Sequence, residues 1–114
     1  MYDKVWIAFV NIQALEGAKF NDLIEIDSDK QSEEYIGAWC NVLIVNDKIN
    51  EVPDIIEAGL SELYMKVKFI DKIQNLASLI EYDEIGEGVI KEAEWLLKTK
   101  YIFKISDKLF PYSK

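Results

Sequence analysis

Two apolar runs dominate the hydrophobic pattern. In Val5 to Gln13, the residues Val5, Ile7 and Phe9 alternate with Trp6, Ala8, Val10 and Ile12. In Gly37 to Asn46, Ala38, Cys40, Val42 and Ile44 alternate with Trp39, Leu43 and Val45, interrupted by Asn41. Both faces of each run are apolar, which is the pattern of interior strands. Phe20 to Ser28 instead sets Phe20, Ile24 and Ile26 against Leu23, Glu25 and Asp27. That alternation predicts a half-solvated outer strand following a turn at Glu16-Gly17.

After a turn at Asn46-Asp47 the period becomes helical. Pro53 suits the first turn of a helix, where an amide proton would have no intrahelical partner, and Asp54 and Glu57 sit near the positive end of the helix dipole. Ile56, Leu60 and Leu63, flanked by Ile55 or Ala58, form the face predicted to meet the sheet. Gly59 costs about 1 kcal/mol relative to alanine in a helix, so it marks either close packing on the sheet or tolerance in a short helix. Tyr64 to Ile70 returns as a strand with Met65, Val67 and Phe69 predicted inward and Lys66 and Lys68 outward. Ile36 to Ile70 therefore reads as a β-α-β crossover.

Beyond a break at Asp71-Lys72, Leu76 to Tyr82 predicts a further strand, with a helical turn over Asn75 to Tyr82 as the competing assignment. Asp83 to Lys98 predicts a second helix, striped by Ile85, Val89, Ala93, Leu96 and Leu97. Trp95 falls outside that stripe, near Lys91, Glu92 and Lys98. Tyr101 to Ser106 predicts the last strand, and Leu109 and Phe110 close one end of the core. The sum is a single α+β domain over residues 1–114. Its expected architecture is a mixed or antiparallel sheet of five or six strands with two main helices mostly on one face, a ferredoxin-like variant with an added N-terminal hairpin.

Charge changes the picture more than composition does. Half of the 114 residues are hydrophobic, enough for a conventional core. Asp plus Glu total 21 against 13 Lys plus Arg, a formal charge of -8. Such a balance repels nucleic acid and anionic lipid and favours a basic protein partner. Glu16 to Glu34 holds seven acids and two lysines, and Glu81 to Glu94 six acids and one lysine. The molecule is polarised if both segments reach one side. The start MYDKVWIAFV has neither the basic cluster nor the cleavage signal of an export peptide, so a cytoplasmic location is expected, with no membrane span.

Catalytic patterns are missing. There is no histidine, and the single cysteine, Cys40, lies among core positions without a basic neighbour. Gly86 and Gly88 lack the rest of a dinucleotide fingerprint. Asp27, Asp29 and Glu33 lack the glycine and the closing carboxylate of an oxygen-ligand cation loop. Adjacent acids such as Glu33-Glu34 and Asp83-Glu84 follow from composition in so acidic a chain. No enzyme activity, cofactor or metal is expected. An exposed aromatic strand face would suit single-stranded nucleic acid, but the basic, glycine-rich strand signature is lacking and the acidic body opposes it.

AWCNVLIV with its following helix and strand, the acidic EYDEIGEGV segment and the aromatic FKISDKLFPY ending together resemble small bacterial immunity proteins that neutralise contact-dependent or other polymorphic toxins. The resemblance implies a cytosolic inhibitor that binds a cognate toxin, commonly a nuclease with a basic active-site surface, and often occludes its active site. Under that reading Asp27, Asp29, Glu33, Glu34, Asp83, Glu84 and Glu87 supply the complementary field, and Trp95 or Tyr82 the aromatic anchor. Two other classes compete: a structural or adaptor domain that dimerises through an exposed sheet edge, and a small-ligand binding domain.

Overall fold

The computed structural model describes residues 2–24 and 34–113. Four strands, β1 (Val5–Ala14), β2 (Tyr35–Val45), β3 (Met65–Asn75) and β4 (Phe103–Ser113), form one antiparallel sheet in the order β3-β1-β2-β4. Three helices, α1 (Val52–Glu62), α2 (Leu76–Glu81) and α3 (Glu87–Leu97), complete the α+β chain. β1 and β2 are the central pair, as their two apolar faces require, and their register runs unbroken from Val5↔Val45 to Gln13↔Gly37. The β2-α1-β3 segment is the expected crossover, and it steps over β1.

Four expectations are corrected. Among the described residues the sheet has four strands rather than five or six, and there are three helices rather than two, in the order β-β-α-β-α-α-β. The described part of Phe20 to Ser28 is a 3-10 turn at Phe20–Asp22, anchored where the Asn21 side-chain oxygen accepts the Tyr35 amide at 2.8 Å. Leu23 and Ile24 continue it as a turn packed on the core, and residues 25–28, Asp27 among them, lie outside the described residues, as do Asp29 and Glu33. Leu76 to Glu81 is helical because Asn75 caps it: its Oδ1 accepts the Ala77 amide at 3.1 Å.

The helices also sit on opposite faces. Val52, Ile56 and Leu60 of α1 pack on Ala8, Val10, Cys40, Val42 and Ile44, all buried. On the reverse side, Leu76 and Leu79 of α2 and Ala93 and Leu96 of α3 cover Val5, Ile7 and Leu43. Leu63 falls at the end of α1 and is exposed; Val52, a turn before Ile56, takes the buried place predicted for it. Gly59 settles into close packing: a Cβ there would lie 2.8 Å from the Phe103 ring.

Phe69 is the clearest reversal. Ile12 pairs with Val67 but Asn11 pairs with Phe69, so one step along β1 matches two along β3. That irregularity turns Phe69 away from the core that holds Met65 and Val67 and leaves it 56% exposed. Both sheet edges resist strand addition. The β3 edge carries exposed Lys66, Lys68 and Lys72, and the β4 edge has Pro111 and an irregularity opposite Cys40/Val42. Edge-to-edge dimerisation is thereby disfavoured.

The aromatic tail proves to be strand. Leu109 to Ser113 pair with Tyr35 to Cys40, and Leu109 packs on the main core. A chain ending at Ser106 therefore loses most of β4, residues 107–113, and exposes a central strand. Leu109 is only partly buried, so losing its side chain costs less than the about 2–5 kcal/mol of a fully buried leucine, but the lost ladder of β4 adds to it against a total stability of about 5–15 kcal/mol for a typical domain. The truncated chain is expected to show no cooperative thermal transition by circular dichroism; an unchanged midpoint would refute this role for the tail.

Candidate functional site

The reversal between α3 and β4 builds an apolar groove. Lys98 N donates to Glu94 O and Trp95 O, and Thr99 Oγ1 donates to Leu96 O at 2.9 Å while accepting the Tyr101 amide at 3.2 Å. This folds Tyr101 back onto Trp95, with ring centroids 6.2 Å apart and planes 14° from parallel. The Val45 amide donates to Ile102 O at 2.9 Å and fixes the following residue. The α1 side supplies Ile55, Gly59 and Glu62, spaced to share one helix face, and Phe103 and Ile105 form the base. The groove holds about 590 Å³. Leu63 (45%), Trp95 (48%), Tyr101 (66%) and Ile102 (51%) line it and remain well exposed.

A polar lock holds the Trp95 side in place. Glu92 accepts from Lys104 Nζ at 2.9 Å, Ser106 Oγ at 2.9 Å and the Asp107 amide at 3.1 Å, tying α3 to the irregular stretch of β4. Lys104 also reaches Asp107 Oδ1 at 3.1 Å and lies 5.9 Å from the Trp95 ring centroid. Burial opposes the charge on Lys104, but the Glu92 and Asp107 carboxylates outweigh it and hold the ammonium above its usual pKa.

Of the described residues expected to bind, Trp95 alone lines this groove. Tyr82 (70% exposed), Asp83, Glu84 and Glu87 lie exposed in the connection from α2 to α3 and at the first residue of α3. Asp83 adopts a left-handed φ of 55°. Glu34 precedes β2 at the Gln13 and Ser113 end of the sheet, whereas α2 leaves it at Asn75 beside Trp6, the opposite end. Of the charged side chains that line the groove, Glu62 comes from α1 and Lys100 and Lys104 from the β4 side. Asp54 and Glu57 lie on the same helix as Glu62, with no lysine between residues 49 and 64. That signal was legible in the sequence, where Asp54 and Glu57 were read only as partners of the helix dipole.

A second surface went unread. Among the described residues, α2 and α3 cover the Val5, Ile7 and Leu43 end of their face. The other half carries Phe9 stacked on Trp39 at 5.2 Å and 17°, with Phe69 edge-on to Trp39 at 6.3 Å. Phe110 is cross-strand partner to Trp39 and 48% exposed. Below them Gln13 Nε2 donates to Tyr112 OH at 3.0 Å, and Tyr112 OH donates to Asn11 Oδ1 at 2.5 Å. Tyr112 lies over Gly37, where a Cβ would sit 2.6 Å from the phenol oxygen.

Neither surface carries a histidine, of which the chain has none, or an exposed thiol. Burial pushes the Cys40 thiol up to about 12, so it stays protonated and unreactive. No cluster of three or more metal-ligating side chains occurs among the described residues. Cys40 is expected to react with a thiol reagent near neutral pH only at the rate of unfolding, and rapid labelling of native protein would contradict the packing. Glu92→Gln is expected to cost about 1.5–3 kcal/mol in urea unfolding, the range for hydrogen bonds to charged groups. Because folding raises the Lys104 pKa, its contribution is complete below the ordinary value of 10.5 and is lost as pH rises through the folded value. The Glu92→Gln protein should show a smaller alkaline loss than the parent, and an equal loss would remove Glu92 as the cause. Set against known protein families, curated proteins and solved structures, the chain matches none.

Proposed function

We propose that the chain is a binding protein of the immunity type, an inhibitor that holds a cognate basic toxin through the α1–β4 groove. The observation that carries the reading is the Trp95–Tyr101 stack, half exposed beside Leu63 and Ile102 and flanked by the acidic helix α1. Aromatic anchors in an apolar recess dominate dissociation, and carboxylates around them speed encounter with a basic surface. The action is binding rather than catalysis, and its place is the cytoplasm, where a lone buried thiol stays reduced. Among the described residues no helix is long and apolar enough to cross a membrane. A small-ligand site is the weaker reading. The volume falls in the range of about 300–1,000 Å³ typical of ligand pockets, but the rim offers few converging polar groups.

The test is capture of the partner from the source cells, followed by co-expression of the captured toxin with this chain. The parent protein is expected to restore growth, and Trp95→Ala with Tyr101→Ala to weaken the complex by about 30-fold or more, with folding retained by circular dichroism. Glu57→Lys with Glu62→Lys should slow association and reduce its salt dependence. Glu33→Lys with Glu34→Lys, measured alongside, tests the acidic loop before β2. Full neutralisation by the Trp95/Tyr101 variant would sink the groove as the contact surface.

A further inference from the structure

We propose that the open half of the sheet is a docking face for an acidic amphipathic helix of a partner protein, seated beside α2 and α3 on Trp39, Phe69 and Phe110. The face is distinct from the groove, and the inference stands whether or not the groove takes a toxin.

Its charge is opposite to that of the whole chain. Cross-strand partners share a face, so Lys66 opposite Gln13 and Lys72 opposite Phe9 flank the rings on the β3 side. Lys108, 5.4 Å from the Phe110 ring centroid, flanks them on the β4 side. Among the described residues paired on this face between Phe9 and Gln13 none is a carboxylate, and Asp71 and Asp107 fall at the unpaired irregular positions of β3 and β4. An apolar centre between lysine rims complements an apolar stripe between acidic flanks.

Size and ring geometry narrow the occupant. From Phe9 to Gln13 the strands run about 14–17 Å and the four strands span about 14 Å. One helix of about three turns, about 10 Å across, fills that area. A second copy is disfavoured, because a two-fold axis through this face sets basic rim against basic rim. Single-stranded nucleic acid is disfavoured as well. Phe9 and Trp39 are stacked on each other, so each has already committed a π-face that a base would need.

Three probes decide it, titrated into the intact chain while the Trp39 and Trp95 indole signals are followed by NMR. They are a helical peptide with leucines on one face and glutamates on the other, its lysine counterpart, and oligodeoxythymidine. The glutamate peptide is expected to shift Trp39 and not Trp95, and to bind at least about tenfold tighter than the lysine peptide. Phe69→Ser with Phe110→Ser, and separately Lys66→Glu with Lys72→Glu, should each lower its affinity about tenfold or more with the unfolding midpoint retained. The inference is overturned by equal binding of the lysine peptide, by oligodeoxythymidine competing at Trp39, or by a dimer that Phe69→Ser dissolves. A lysine peptide that shifts Trp95 speaks for the groove alone, so the two readings fail separately.

Discussion

A strand rises about 3.3 Å per residue and a helix about 1.5 Å, so an 11-residue strand is about twice as long as an 11-residue helix. β2, β3 and β4 each have 11 residues, and so do α1 and α3. None of the described helices can by itself cover the sheet. On one face the deficit is met by α1 together with Phe20, Tyr35 and Leu109, which extend the core toward the far end. On the other, α2 and α3 close over the same end of β1 and β2, and the far half keeps aromatic side chains turned to solvent. The open face follows from this mismatch of lengths.

The groove has a related origin. Once α1 and α3 are committed to opposite faces, the chain must pass round the sheet edge to begin β4, and residues at that corner touch both layers. Gly59 lets α1 approach the Phe103 ring, while Glu92 fastens α3 to Ser106, Lys104 and Asp107. The apolar corner between them is therefore a rigid recess bounded by two anchored helices. The two surfaces differ in sign: α1 brings carboxylates to the corner, and the strand edges bring lysines to the open face. A chain of net charge -8 thus holds a locally basic surface, which a whole-sequence charge conceals.

Much of the scaffold was legible by period alone. The two-sided apolar runs of β1 and β2 could be stable only in the middle of a sheet, and Pro53 and the Ile56–Leu60 spacing define α1. Trp95 could be placed outside its helix stripe because helical geometry is local. The Leu76–Tyr82 ambiguity was also local in principle, since Asn75 is a good N-cap, but a short apolar run satisfies both periods. Phe69 was not legible. Its inward assignment assumed a strict period of two, and the pairing with β1 breaks that period through an irregularity that no single strand reveals.

By itself the sequence determined which segments are strands of the interior, where α1 begins, that Cys40 is packing and not chemistry, and that Trp95 stands off the core. Each of these depends on residues within a few positions of one another. Only the tertiary structure decided that the helices divide between the faces, that Glu34 and the Tyr82–Glu87 stretch lie toward opposite ends of the strands, and that Trp39 and Phe69 share an open surface. These depend on long-range pairing and on which half of a face a helix is long enough to cover. Neither is encoded in the alternation of one segment.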